Sequence, residues 1–155
     1  MAECLALRPE FVRLSPSLVL AGSGLEAWWR RGRYAPWTLE RAVPALARAA
    51  LALWRAGIAV ARVGLAPEPS LKAAILAGPW AEDLGMRVGA AALLADISQR
   101  LDGRRAVGLT VPLRHSGGFW GHAGELETGY AALGLSRRDV SFRDVLEFVL
   151  ECQNE

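Results

Sequence analysis

Two arginines set inside apolar runs are the first residues of this chain that could do chemistry. Arg13 lies in FVRLSPSLVL, from Phe11 to Leu20, and Arg62 in IAVARVGLAP, from Ile58 to Pro67. Each guanidinium offers a planar fork of donors that matches a carboxylate or a phosphate. At the mouth of a parallel α/β sheet, two such forks would grip an anion. The alternatives are a buried pair held by a carboxylate, or plain solvent exposure. Ser15, beside Pro16, adds a hydroxyl to the same place; its simpler reading is a routine strand-end hydroxyl.

A second constellation is WWRRGRY, where Trp28, Trp29 and Tyr34 interleave with Arg30, Arg31 and Arg33. Rings that stack on bases, beside cations that hold phosphates, are a common way to bind RNA. Tryptophan beside arginine is equally the composition of a protein interface or of packed structure. Further along, GHAG at Gly121–Gly124 has the spacing of the GxxG loop that clamps a nucleotide backbone in KH modules. His122 brings no fixed charge, and Glu125 and Glu127 oppose phosphate, so a simple helix turn competes with that reading. Arg137 and Arg138 are better placed as phosphate contacts, or they form a solvated turn. His115 and His122 lack positioned acidic or thiol partners, so neither a zinc site nor a hydrolytic centre is assigned. No catalytic residue, phosphate loop or dinucleotide fingerprint is present.

The elements that must carry these residues follow from periodicity and breakers. The two apolar runs read as parallel strands joined by a crossover helix, which right-handed β-α-β geometry requires. Pro16 marks a bulge, a strand end or an edge position in the first. Leu25–Arg31 reads as a short helix. Thr38 suits the N-cap of a helix reaching Ala56, with Glu40 in its first turn and Pro44 as a difficulty. Leu39, Val43, Leu46, Ala50, Leu53 and Trp54 would face the sheet. Pro67 and Pro69 close the second strand. Ser70–Ala77 reads as a short helix and Leu84–Leu101 as a longer one. Ala106–Leu113 is a strand, Gly117–Gly134 a pair of short helices about a glycine turn, and Asp139–Phe142 a brief strand. Phe142–Leu150 is a strand or a helix.

Composition narrows the class. At 155 residues and 52% apolar content the chain buries a real core, which tryptophans and leucines should largely supply. A formal charge of +2 permits a nucleic-acid surface without indicating one. Cys4 and Cys152 are the only cysteines and form neither a metal spacing nor a disulfide framework. A reduced, cytoplasmic setting fits. MAECLALRPE has no secretory core, and Pro44, Arg48, Arg55 and Arg62 interrupt the apolar stretch Val43–Val63, so no membrane association is expected.

FVRLSPSLVLAGSGLEAWWRRGRYAPWTLERAV, followed by GIAVARVGLAP at Gly57–Pro67 and AGP at Ala77–Pro79, keeps several separated motifs in order. This stretch resembles the radical S-adenosylmethionine enzymes related to the catalytic subunit of Elongator, in their bacterial branch, which are tied to tRNA modification. The resemblance implies that the two strands are the last of a six-stranded partial (β/α) barrel. It also implies basic residues at the places of Arg13 and Arg62. Where this chain has Ser15, the family favours tyrosine. The family's earlier strands carry a three-cysteine motif for a [4Fe–4S] cluster, which this chain lacks.

The resulting expectation is an α/β protein. Residues 1–103 would form a partial barrel-like β-α-β domain and residues 104–155 a small α+β, KH-like tail. The resemblance implies a non-catalytic fragment or diverged subunit, a substrate-side or assembly module. A protein partner or homo-oligomer would cover its open sheet edge. S-adenosylmethionine and the cluster would enter only if a partner supplied the missing half. An RNA-binding module and a standalone enzyme of unrelated chemistry are the alternatives.

Overall fold

The computed structural model describes residues 1–66 and 68–153. Contacts divide the chain into two units, Met1–Val88 and Gly89 onward. No helix among the described residues is long and apolar enough to cross a membrane.

In the first unit, Pro16 decides where the opening strand stops, because proline cannot donate to a ladder. After a short helix α1 (Ala2–Leu7), β1 covers only Phe11–Leu14, and Val19–Leu20 forms a separate β2. The Ser23 hydroxyl caps α2 (Gly24–Arg30) by accepting from the Glu26 amide at 3.2 Å. The crossover helix α3 runs Leu39–Arg55 straight through Pro44. Gly57 then turns the chain into β3 (Ala59–Val63). β1 and β3 pair in parallel, as the β-α-β reading requires. The expectation that Pro67 ends this strand lies outside the described residues.

Four details differ from the sequence reading. One lies in the second unit, where residues 117–134 hold a single α-helix, Glu127–Ala132, after a turn and a 3-10 stretch rather than a pair of helices. α3 buries Ala42, Ala47, Ala50, Leu51 and Leu53, while Trp54 is 45% exposed. Ala50 and Leu53 are buried as expected, Leu39, Val43 and Leu46 are half-buried, and Trp54 lies outside the stripe. Ser70–Ala77 is not one helix: α4 spans Pro69–Ala74, and Ile75–Ala77 is a strand, β4. β4 pairs antiparallel with β2, which gives its backbone ladder partners that a frayed helix end would lack. Finally, tryptophans supply little of the core, since Trp28 and Trp37 are also exposed.

Helix α5 (Leu84–Leu101) has the bounds expected of it, and the division between units falls within it. The second unit continues with β5 (Ala106–Pro112), α6 (Glu127–Ala132), β6 (Val140–Arg143) and β7 (Val149–Cys152). The run left open between strand and helix therefore ends as a strand. β5 is central, parallel to β6 and antiparallel to β7. One core cluster holds Ile97, Leu101, Leu109, Val111, Phe119, Tyr130 and Leu135. Phe119 stacks on Tyr130 with ring centroids 4.3 Å apart.

Candidate functional site

The register of the parallel pair brings the two arginines together. A shift in pairing between Val12 and Arg13 sets Arg13 opposite Arg62. Both side chains are exposed, and neither has an ion-pair or hydrogen-bond partner among the described residues. The buried pair held by a carboxylate is thus not what forms. Two like charges facing across a ladder repel, and an anion between them would relieve that. Phe11, two residues before Arg13, is 56% exposed.

Ser15 follows the C-terminal end of β1, the end where parallel sheets hold ligands. It borders a cavity of about 380 Å³ together with Pro16, Ser17, Tyr34, Trp37 and Pro79, and the α3 residues Ala42 and Leu46 complete the lining. Sequence reasoning named Ser15 and Tyr34 without linking them, and it missed Ser17 and Trp37. Trp37 stands three residues beyond WWRRGRY, directly before the helix start at Thr38, and that proximity was the available signal. The guanidinium of Arg41 lies 4.5 Å from the centre of the Trp37 ring, a cation–π contact.

The close approach that forms one wall depends on Gly78. Its φ is +119°, and a Cβ there would stand 3.0 Å from Leu18 Cδ2 and 3.1 Å from the Ser17 carbonyl oxygen. The β2–β4 ladder and the Ala21 amide, which donates to the Ala74 carbonyl at 2.8 Å, tie the same loops together.

The rest of WWRRGRY lies on and after α2. Glu26 accepts from Arg30 at 2.7 Å and from the Gly22 amide at 2.7 Å, and these bonds hold its carboxyl below the usual range. Arg30 also lies 5.9 Å from the centre of the half-buried Trp29 ring. Trp28, Arg31 and Arg33 are exposed, and the two arginine side chains have no partner among the described residues.

In the second unit the glycine turn is ringed by acid. The His122 amide donates to Glu125 Oε1 at 3.2 Å. A Cβ on Gly124 would meet Glu127 Oε1 at 2.6 Å. Arg137 pairs with Glu127 and lies 5.0 Å from the centre of the Trp120 ring. Arg138 is exposed beside Asp139, whose carboxylate accepts from the Ser136 hydroxyl and amide. Glu125 and Glu127 thus stand at the turn, with the Arg137 guanidinium paired to Glu127. Among the described residues no three His, Cys, Asp or Glu side chains group to hold a metal ion. Cys4 and Cys152 are free thiols, one in each unit.

A family model described as the Radical_SAM C-terminal domain matches residues 9–92. No curated protein and no solved structure matches the chain.

Proposed function

The chain belongs to the Radical_SAM C-terminal domain family, and from that premise we propose that it is a non-catalytic module which completes a radical S-adenosylmethionine barrel. The observation that carries this reading is the β1–β3 pair. Two parallel strands are marginal by themselves, and parallel sheets are almost always covered on both faces. Here the pair presents exposed Phe11, Arg13 and Arg62. Further barrel strands are the cover such a face calls for.

The donor set supports the other half of the reading. A [4Fe–4S] cluster is held by thiolates at close spacing. With two cysteines in the whole sequence and no cluster of metal-ligating side chains among the described residues, this chain does not fit one. The radical chemistry therefore belongs to a cofactor held elsewhere. The partner is a protein that brings the cluster-bearing strands, in a cytoplasmic assembly of the Elongator-related kind that modifies tRNA. Arg13 and Arg62 would hold an anion inside that barrel, either a substrate phosphate or a carboxylate such as that of S-adenosylmethionine.

Anaerobic copurification with a radical S-adenosylmethionine protein that carries a three-cysteine motif tests the reading. The expected result is a complex that Arg13→Glu and Arg62→Glu together weaken at least tenfold, with all iron on the partner. Stoichiometric iron on this chain alone would refute it.

A second reading, RNA binding, is favoured by one observation: Arg31 and Arg33 are unpaired among the described residues beside an exposed Trp28. Replacing both with glutamine should then lower the salt dependence of RNA binding by about two phosphate contacts. Absence of binding at low salt counts against it.

A further inference from the structure

The cavity at the end of β1 has a use that neither reading requires. Its walls are aromatic and apolar, from Tyr34, Trp37, Leu46 and Pro79, and the hydroxyl-bearing residues Ser15, Ser17 and Tyr34 are among those that line it. None of these hydroxyls has a hydrogen-bond partner in the protein among the described residues. No Asp, Glu, Lys, Arg or His lines the cavity. Its volume, about 380 Å³, lies within the range of small-molecule sites.

The nearby start of α3 does not turn the cavity into an anion site. Glu40 occupies the first turn, and its neighbours, the Thr38 side chain first, hold its carboxyl below the usual range. The partial positive charge of that helix end is thus already met by an internal anion. Arg41 is engaged with the Trp37 ring. What is left is an aromatic wall with neutral donors and acceptors at its edge.

We propose that this cavity binds an uncharged planar ring with a hydrogen-bonding edge, seated against Trp37 with its edge toward the hydroxyls of Ser15, Ser17 and Tyr34. A flat ring gains dispersion and quadrupole contact from Trp37 and Tyr34. A charged ring would lose hydration with no counter-ion in the lining to replace it. A puckered ring of equal size would lose the stacking. The site stands on the loop geometry of the first unit and not on the barrel reading, so the two fail separately.

The test uses the whole chain and three probes of matched size: benzamide (planar, neutral), benzoate (planar, charged) and cyclohexanecarboxamide (puckered, neutral). The readout is the Trp37 indole N–H resonance, assigned by its disappearance in Trp37→Phe. Benzamide should shift it with a Kd at or below about 10 mM, a modest efficiency for a ligand of this size. Benzoate and cyclohexanecarboxamide should bind at least tenfold more weakly. Ser15→Ala, at an exposed position, should weaken benzamide about threefold or more, the loss of one hydrogen bond. Equal binding of benzoate and benzamide, unchanged affinity in Ser15→Ala, or no shift of the Trp37 resonance by any probe would each overturn the proposal.

Discussion

The two units use their aromatic residues in opposite ways. From Gly89 onward, Phe119 and Tyr130 are 1% and 0% exposed, stacked on each other inside one cluster. In Met1–Val88, Phe11, Trp28, Trp37 and Trp54 stand 43–56% exposed. The second unit has closed its core around its rings. The first has an aliphatic and alanine-rich core beneath α3 and leaves these four rings exposed, where they cost free energy unless covered. The family match, residues 9–92, falls almost wholly on the unit with the uncovered rings. Under the proposed reading, these exposed tryptophan and arginine side chains are the surface a partner would cover.

The largest test of this contrast is a pair of truncations. Phe119→Ala should cost about 3–5 kcal/mol in urea unfolding, because it removes a buried ring and leaves a cavity. Trp28→Ala should change stability by no more than about 0.5 kcal/mol. Similar losses for the two would break the comparison. Next comes Gly78→Ala, expected to cost about 1–3 kcal/mol. The added methyl meets Leu18 and the Ser17 carbonyl at a backbone angle that L residues avoid. The same change should weaken benzamide binding, which ties the cavity to the approach of those loops.

A gain is expected at Tyr130. Its hydroxyl is buried without a partner among the described residues, and burial pushes its pKa well above the usual phenol value. Tyr130→Phe removes an unsatisfied group while keeping the ring, and should stabilise the second unit by about 1 kcal/mol. A clear loss would mean that the hydroxyl has a partner in solution.

The smallest effect is acid sensitivity, and it should appear in both units. Hydrogen bonds from Ser136 hold Asp139 below the ordinary carboxylate range, and the Thr38 hydroxyl does the same for Glu40. A depressed folded pKa means that the unfolded chain binds protons more readily. The stabilisation is therefore complete above the unfolded value, about pH 4, and is lost as pH falls through the lower folded value. Ser136→Ala should flatten the acid limb of the unfolding midpoint for the second unit alone. His115 acts in the same direction nearer neutrality. Its partial burial and the neighbouring Arg114 lower its pKa, so its contribution fades as pH drops below about 6.5.

Much of the fold was legible because it rests on local signals. Gly57, the α3 periodicity and two apolar runs identify a β-α-β unit without any knowledge of contacts. Leu84–Leu101 was readable despite Gly85 and Gly89, since its length and flanking breakers leave little alternative. The site was only partly readable. Arg13, Arg62, Ser15 and Tyr34 stand out by type, but a one-residue slip in the ladder would have placed Arg13 opposite Ala61. Ile75–Ala77 was misread because three residues carry too little pattern to outweigh the helical run before them. Trp54 was misassigned because a wide apolar stripe does not reveal its own centre.

The sequence by itself determined the β-α-β unit of β1, α3 and β3, its parallel pairing, and the bounds of α5. These follow from residue type, chain spacing and the chirality of crossovers. Only the tertiary structure decided that the two arginines face each other, that Gly78 lets two distant loops close a cavity against Trp37, and that Glu125 and Glu127 occupy the glycine turn. Each of these depends on distances between residues far apart in the chain, which packing fixes and local preference does not.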